Sequence, residues 1–144
     1  MEDFPAIIKK ISTTNSIDGR RGADVMSSQA IENRKKELSE ELERIKNVLI
    51  NEYKADKIIL FGSMATGNIH EWSDLDIIVV KDTDEAFIKR LKNIGLLVKS
   101  KVACDLIVYT NGEIEAMKKE KRSFILKVLE EGKVIYDARG KEMA

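Results

Sequence analysis

The run Val102-Ala103-Cys104-Asp105-Leu106-Ile107-Val108-Tyr109 has the apolar make-up of an interior β-strand, yet it carries one carboxylate. An ionised Asp is expensive to bury unless it is paired or bound to a metal, so Asp105 needs a place in the fold that supplies a partner. Two more β-type runs lie upstream. Lys57-Ile58-Ile59-Leu60-Phe61 is stopped by Gly62-Ser63, and Leu75–Val80 begins directly after Asp74. Residues two apart on a strand point to the same face, which sets Asp74 and Asp76 side by side. If the strand of Asp105 lies next to Leu75–Val80, three carboxylates converge.

The remaining pattern frames these strands with helices. Between Ile31 and Tyr53 the residues Ile31, Leu38, Leu42, Ile45, Val48 and Leu49 recur at helical spacing with charges on the other face, predicting an amphipathic helix. Asp82-Thr83-Asp84-Glu85 has capping-box spacing and leads into a helix over 86–93 with Phe87, Ile88 and Leu91 on one side. Thr110-Asn111-Gly112-Glu113 repeats that signal ahead of a helix carrying Ile114, Met117, Ile125, Val128 and Leu129. Gly132 is placed to stop it, and Val134-Ile135-Tyr136 adds a short edge strand. The fold class is therefore α/β or α+β: a small mixed β-sheet with flanking helices and an N-terminal helical extension. Residues 1–30, rich in small polar types from 12 onward, read as an arm or linker, and 31–140 as the domain.

Composition narrows the function. A chain of 144 residues suits one domain and leaves little room for a second that would grip a substrate. With 25 basic residues against 25 acidic ones, strong binding of duplex nucleic acid by a broad basic face is not expected. One cysteine and one histidine offer neither a disulfide nor a zinc ligand set. The apolar runs are too short to span a bilayer and the acidic N-terminus is unlike a signal peptide, so a cytoplasmic setting without membrane association is the expectation.

The chemistry concentrates in residues 61–80. Two adjacent carboxylates repel unless a cation sits between them, and Mg²⁺ takes one or two carboxylates plus phosphate oxygens. Gly62-Ser63, between a strand and a short helix, offers backbone N–H groups and a hydroxyl to a phosphate, and no Walker A sequence competes for that role. Each feature has a plainer reading when taken alone: Asp74/Asp76 as an exposed turn, Gly62-Ser63 as a simple turn, Asp105 as an edge-strand acid.

Gly62-Ser63, ten intervening residues and Asp74-Leu75-Asp76 together resemble the signature of the DNA polymerase β-like nucleotidyltransferases. Asp105 matches the third carboxylate of that group. Across about residues 45–137 the chain looks most like the minimal nucleotidyltransferases that pair with a HEPN-domain toxin as its antitoxin. The resemblance implies the polymerase β-like fold and Asp74, Asp76 and Asp105 as ligands of Mg²⁺, two ions in all, with Asp105 also the base. It implies that Gly62 and Ser63 hold the β- and γ-phosphates of a nucleoside triphosphate, ATP by preference, with Ser73 grouped with them at the nucleotide site as a turn or carboxylate-orienting residue. It also implies transfer of AMP to a hydroxyl of a HEPN-type partner with release of pyrophosphate. Thr66 departs from the family, where many relatives carry Arg. Two rivals follow: an antitoxin acting by binding alone, and a transferase for small molecules such as aminoglycosides. The helix over 31–53 is a surface for a partner or for a second copy.

Outside that signature the readings are bland. His70 reads as an exposed loop residue, Trp72 as packing on the sheet and Cys104 as a structural thiol facing away from Asp105. Lys118-Lys119-Glu120-Lys121-Arg122 reads as a solvated helix face.

Overall fold

The computed structural model describes residues 27–140. The reading of residues 1–26 as an arm lies outside them. Helix α1 (Ser27–Asn51) leads to strand β1 (Lys57–Phe61) and the one-turn helix α2 (Ser63–Thr66). Strand β2 (Leu75–Val80), helix α3 (Phe87–Val98) and strand β3 (Cys104–Tyr109) follow. Helices α4 (Asn111–Lys119) and α5 (Ser123–Glu131) and strand β4 (Lys133–Asp137) complete the order. The sheet runs β3-β2-β1-β4. β1 is antiparallel to both β2 and β4, whereas β2 and β3 are parallel, which requires the crossover that α3 provides.

Every residue of β2 is buried, as expected of a central strand covered on both faces. On one face Ile58, Leu60, Leu75, Ile77, Val79 and Val108 pack against Leu38, Ile45 and Leu49 of α1 and Ile94 and Val98 of α3. On the other, Ile59, Ile78, Ile107 and Tyr109 meet Val128 of α5, with Ile114, Met117 and Phe124 around them. The alternation that builds these two layers sends Asp76 and Asp105 to the second face. Among the described residues no helix is long and apolar enough to cross a membrane.

Several expectations hold. The Thr110/Glu113 capping box forms in both directions, and β4 is an edge strand beside β1. Gly132 ends α5, where a Cβ would stand 2.5 Å from the Val128 carbonyl oxygen and 3.0 Å from Ile59.

Others are corrected. α1 begins at Ser27, inside the segment read as linker. Asp82–Glu85 makes no capping box: α3 starts at Phe87 behind Ala86, and Asp82 accepts hydrogen bonds from the backbone and side chain of Asn111 at 2.9 and 3.2 Å. A tertiary partner has taken the would-be cap. α3 runs to Val98 and buries Arg90, Ile94 and Val98, leaving Ile88 58% exposed. The single helix expected after Thr110 is two, because Lys121 adopts φ 55° and the chain closes a Schellman turn. Its bonds run from Lys121 N–H to the Lys118 carbonyl and from Arg122 N–H to that of Met117, both 3.0 Å.

Two charged networks tie the helices to the strand that carries Asp105. Buried Arg90 donates to the Glu85 and Val108 carbonyls and forks onto both oxygens of Glu113 at 2.7 and 3.1 Å, joining α3, β3 and α4. Glu41 on α1 accepts two bonds from Arg44 and one from Lys101 N–H on the approach to β3. Arg44 also donates to the Val98 carbonyl that ends α3. The Arg44 guanidinium, together with the Lys101 bond, outweighs burial and holds the Glu41 carboxyl at about 2, against an ordinary 4.5.

A carboxyl depressed in the folded state stabilises the fold above its unfolded value, and that contribution disappears as pH falls through the folded value. Wild-type protein should therefore exceed Glu41→Gln in unfolding free energy by on the order of 2 kcal/mol at pH 6, allowing for the solvent around Arg44. The margin should shrink between pH 4.5 and about 2, measured by urea unfolding at several pH values.

Candidate active site

The parallel register of β2 and β3 sets Asp76 level with Asp105, and the antiparallel register of β1 sets Phe61 level with Asp76. The two carboxylates thus share one face at one end of the sheet, 1% and 8% exposed. Asp74 lies one residue before β2 and is half-buried. Phe61 packs with the core of the same sheet face, its ring edge-on to Phe124 at 5.8 Å.

The turn after β1 is shaped around Asp76. Gly62 has φ 76°, a left-handed conformation that few other residues tolerate. A Cβ there would overlap the Asp76 carboxylate, standing 3.0 Å from its Cγ and closer still to Oδ2. The backbone approaches that carboxylate as closely as only glycine allows. Ser63 opens α2 next to it, and the Gly62 carbonyl accepts from the Ala65 and Thr66 N–H groups at 3.0 and 3.1 Å. Thr66 is exposed at the far end of this turn and brings no charge.

Ser73 is 7% exposed. Its hydroxyl accepts the His70 N–H at 2.7 Å, and its own N–H donates to the His70 carbonyl at 3.1 Å. Its carbonyl accepts from Arg34 Nε at 2.7 Å. On the far side of Asp74, the Leu75 N–H donates to the Ala103 carbonyl at 3.0 Å. Asp74 is therefore bracketed by fixed peptide groups. His70 is exposed and stacks on Trp72, with centroids 5.2 Å apart. Trp72 thus packs on a ring in its own turn.

Cys104 lies on the opposite face of β3, as expected, packed with the α1-side core. Burial first, then the charges of Asp105, Asp76 and Asp74, push its thiol far up. All three aspartates therefore lie close enough to act on Cys104. Among the described residues no group of three His, Cys, Asp or Glu is arranged to hold a metal ion by itself. Oxygen donors only, two of them level on neighbouring strands, still fit a hard divalent cation that completes its shell with phosphate oxygens. Gly62 adds no side chain where the turn passes Asp76. The bond from Arg34 to the Ser73 turn was not legible, because a charged residue on an amphipathic helix reads as solvated.

Comparison with known proteins agrees with this arrangement. A family model described as polymerase beta nucleotidyltransferase matches residues 43–140. A Methanocaldococcus jannaschii protein, described as a protein adenylyltransferase, is 42% identical over 92 residues, covering 62% of this chain and 89% of that protein. In structure the chain is similar to a crystal structure described as a nucleotidyltransferase from Sulfolobus solfataricus. The TM-score is 0.53 at 16% identity, over 76% of this chain and 89% of that one, a likeness of fold.

Like carboxylates held this close should cost stability when no cation is present. In EDTA, Asp105→Asn should melt a few degrees above wild type, roughly 1 kcal/mol. Gly62→Ala should melt lower, because it combines the strained φ with the overlap on Asp76; differential scanning calorimetry of the three proteins checks both signs.

Proposed function

The chain belongs to the polymerase β nucleotidyltransferase family and is a nucleotidyltransferase, and from that premise we propose that it moves AMP from ATP onto a hydroxyl of a protein partner, with Mg²⁺ as its metal. The observation that carries this reading is the level pair Asp76 and Asp105, with the Gly62 backbone pressed against the Asp76 carboxylate. A turn of that shape brings main-chain N–H groups and the Ser63 hydroxyl to the same end of the sheet as the acids. It suits the β- and γ-phosphates of a triphosphate whose α-phosphate lies over the acids.

In the reaction the acceptor oxygen forms a bond to the α-phosphorus, the bond from that phosphorus to the bridging oxygen of the β-phosphate breaks, and pyrophosphate leaves. Asp105 takes the acceptor's proton, and its buried position keeps bulk water from competing for it. Asp74 and Asp76 would hold Mg²⁺, two ions with Asp105 as a further ligand. Bound there, the metal supplies charge neutralisation for the phosphates and polarises the reacting phosphoryl group. The chain contributes position: the Gly62 turn sets the phosphates, and the β2–β3 register sets the base relative to them.

A protein acceptor is supported by the description of the archaeal relative as a protein adenylyltransferase. The described residues form one α/β unit, and the acceptor's own surface would supply the rest of the recognition. A HEPN-type toxin modified on a tyrosine is the partner proposed, with this chain as its antitoxin. Thr66 favours one second reading, neutralisation by binding alone, because the charge that Arg would bring to the phosphates is missing at that position.

Incubation with ATP labelled at the α-phosphate and a co-expressed partner should label the partner in Mg²⁺ and not in EDTA. Asp76→Asn should lower the rate at least ~100-fold. Undiminished labelling by Asp76→Asn contradicts the catalytic reading. An Asp74→Ala chain that neutralises toxicity as well as wild type would favour binding alone.

A further inference from the structure

We infer that Arg34, on α1 and outside the span matched by the family model, is a positioning residue for Asp74; the inference rests on the proposed reading of Asp74 as a metal ligand. Asp74 precedes β2, so the sheet ladder does not hold it directly. Both peptide groups that flank it are hydrogen-bonded. The Leu75 N–H is fixed by the Ala103 carbonyl at 3.0 Å, a bond internal to the β2–β3 pair. The Ser73 carbonyl, on the other side, accepts its bond from Arg34 Nε at 2.7 Å, across 39 residues of sequence. That carbonyl belongs to the peptide whose nitrogen is Asp74's own, so the guanidinium fixes the peptide plane from which Asp74 departs.

Arg34 is itself held. Its Nη1 donates to Glu37 Oε1 at 2.7 Å, one turn along the same helix, and its side chain is 19% exposed. A planar guanidinium pre-set by one carboxylate loses little freedom on donating its second bond, which suits it to hold a turn rather than follow it. Among the described residues, the rest of Ser73 is tied to His70, within the same turn. Arg34 is thus the one contact described for this turn that anchors Ser73 to the helical layer. The amino-terminal half of α1 acts as a strut on the metal-binding loop.

The test compares full-length Arg34→Ala, Arg34→Lys, Glu41→Gln and Asp76→Asn with wild type. Glu41→Gln loosens α1 from the rest of the fold without touching the Ser73 turn, so it reports what helix docking alone contributes. Mn²⁺ affinity, read by electron paramagnetic resonance, should fall about tenfold in Arg34→Ala, partly recover in Arg34→Lys and stay within twofold of wild type in Glu41→Gln. Hydrogen exchange at the amides of residues 70–75, in metal-free protein, should quicken at least tenfold in Arg34→Ala only. Wild-type affinity and exchange in Arg34→Ala, with binding lost in Asp76→Asn, overturns the role of Arg34 and leaves the metal site standing. Equal losses in Arg34→Ala and Glu41→Gln also overturn it, by assigning the effect to helix docking. A wild type that binds Mn²⁺ no better than Asp76→Asn overturns the reading of the site and the proposal with it.

Discussion

Parallel pairing of β2 with β3 is the constraint on which the other features depend. It sets two aspartates level on one face of a sheet whose interior is otherwise apolar. Like charges so placed oppose folding, and the surrounding structure is arranged to hold them there. A parallel pair needs a crossover, and α3 supplies it. Arg90, buried in α3, fastens that crossover to the end of β3 and to the capping box of α4. Glu41 and Arg44 fasten the other end of α3 and the entry to β3 onto α1. Neither charged network touches the aspartates, yet each holds one end of the element that sets their register.

The close approach of Gly62 is the second consequence. β1 ends level with Asp76, so the turn that follows must pass directly over that carboxylate, and only a residue without a Cβ can do so. The same turn starts α2 and brings Ser63 to the acids. The proposed phosphate-holding turn and the proposed metal-holding carboxylate would thereby share a single contact. This gives a physical reason for a fixed spacing between Gly62-Ser63 and Asp74-Leu75-Asp76: the ten residues between them carry the chain through α2 and back into β2.

Much of this was legible in the sequence because it follows from alternation and spacing. Strands β1 and β2, the opposite faces that Cys104 and Asp105 take on β3, and the Thr110–Glu113 cap follow from period-2 or capping rules, whereas the meeting of Asp105 with Asp76 depends on the pairing of β3 with β2. What escaped depends on contacts between distant segments. Arg34, Glu41 and Arg90 look like solvated helix positions until the layers pack. Asp82 has the spacing of a cap and is claimed instead by Asn111. The break at Lys121 lacks the glycine that marks such turns, so α4 and α5 read as one helix. Of these, Arg34 alone bonds to the turn that carries Ser73 among the described residues.

Whether the level aspartates form a cation site can be read directly from a ¹⁵N-labelled sample titrated with Mn²⁺ in the presence of ATP. Paramagnetic broadening should be strongest at the amides of Gly62, Ser63, Asp74, Asp76 and Asp105, and weak along the exposed acids of α1. Broadening centred on Glu37 and Glu40, with the Gly62 turn and the ends of β2 and β3 unaffected, would contradict it.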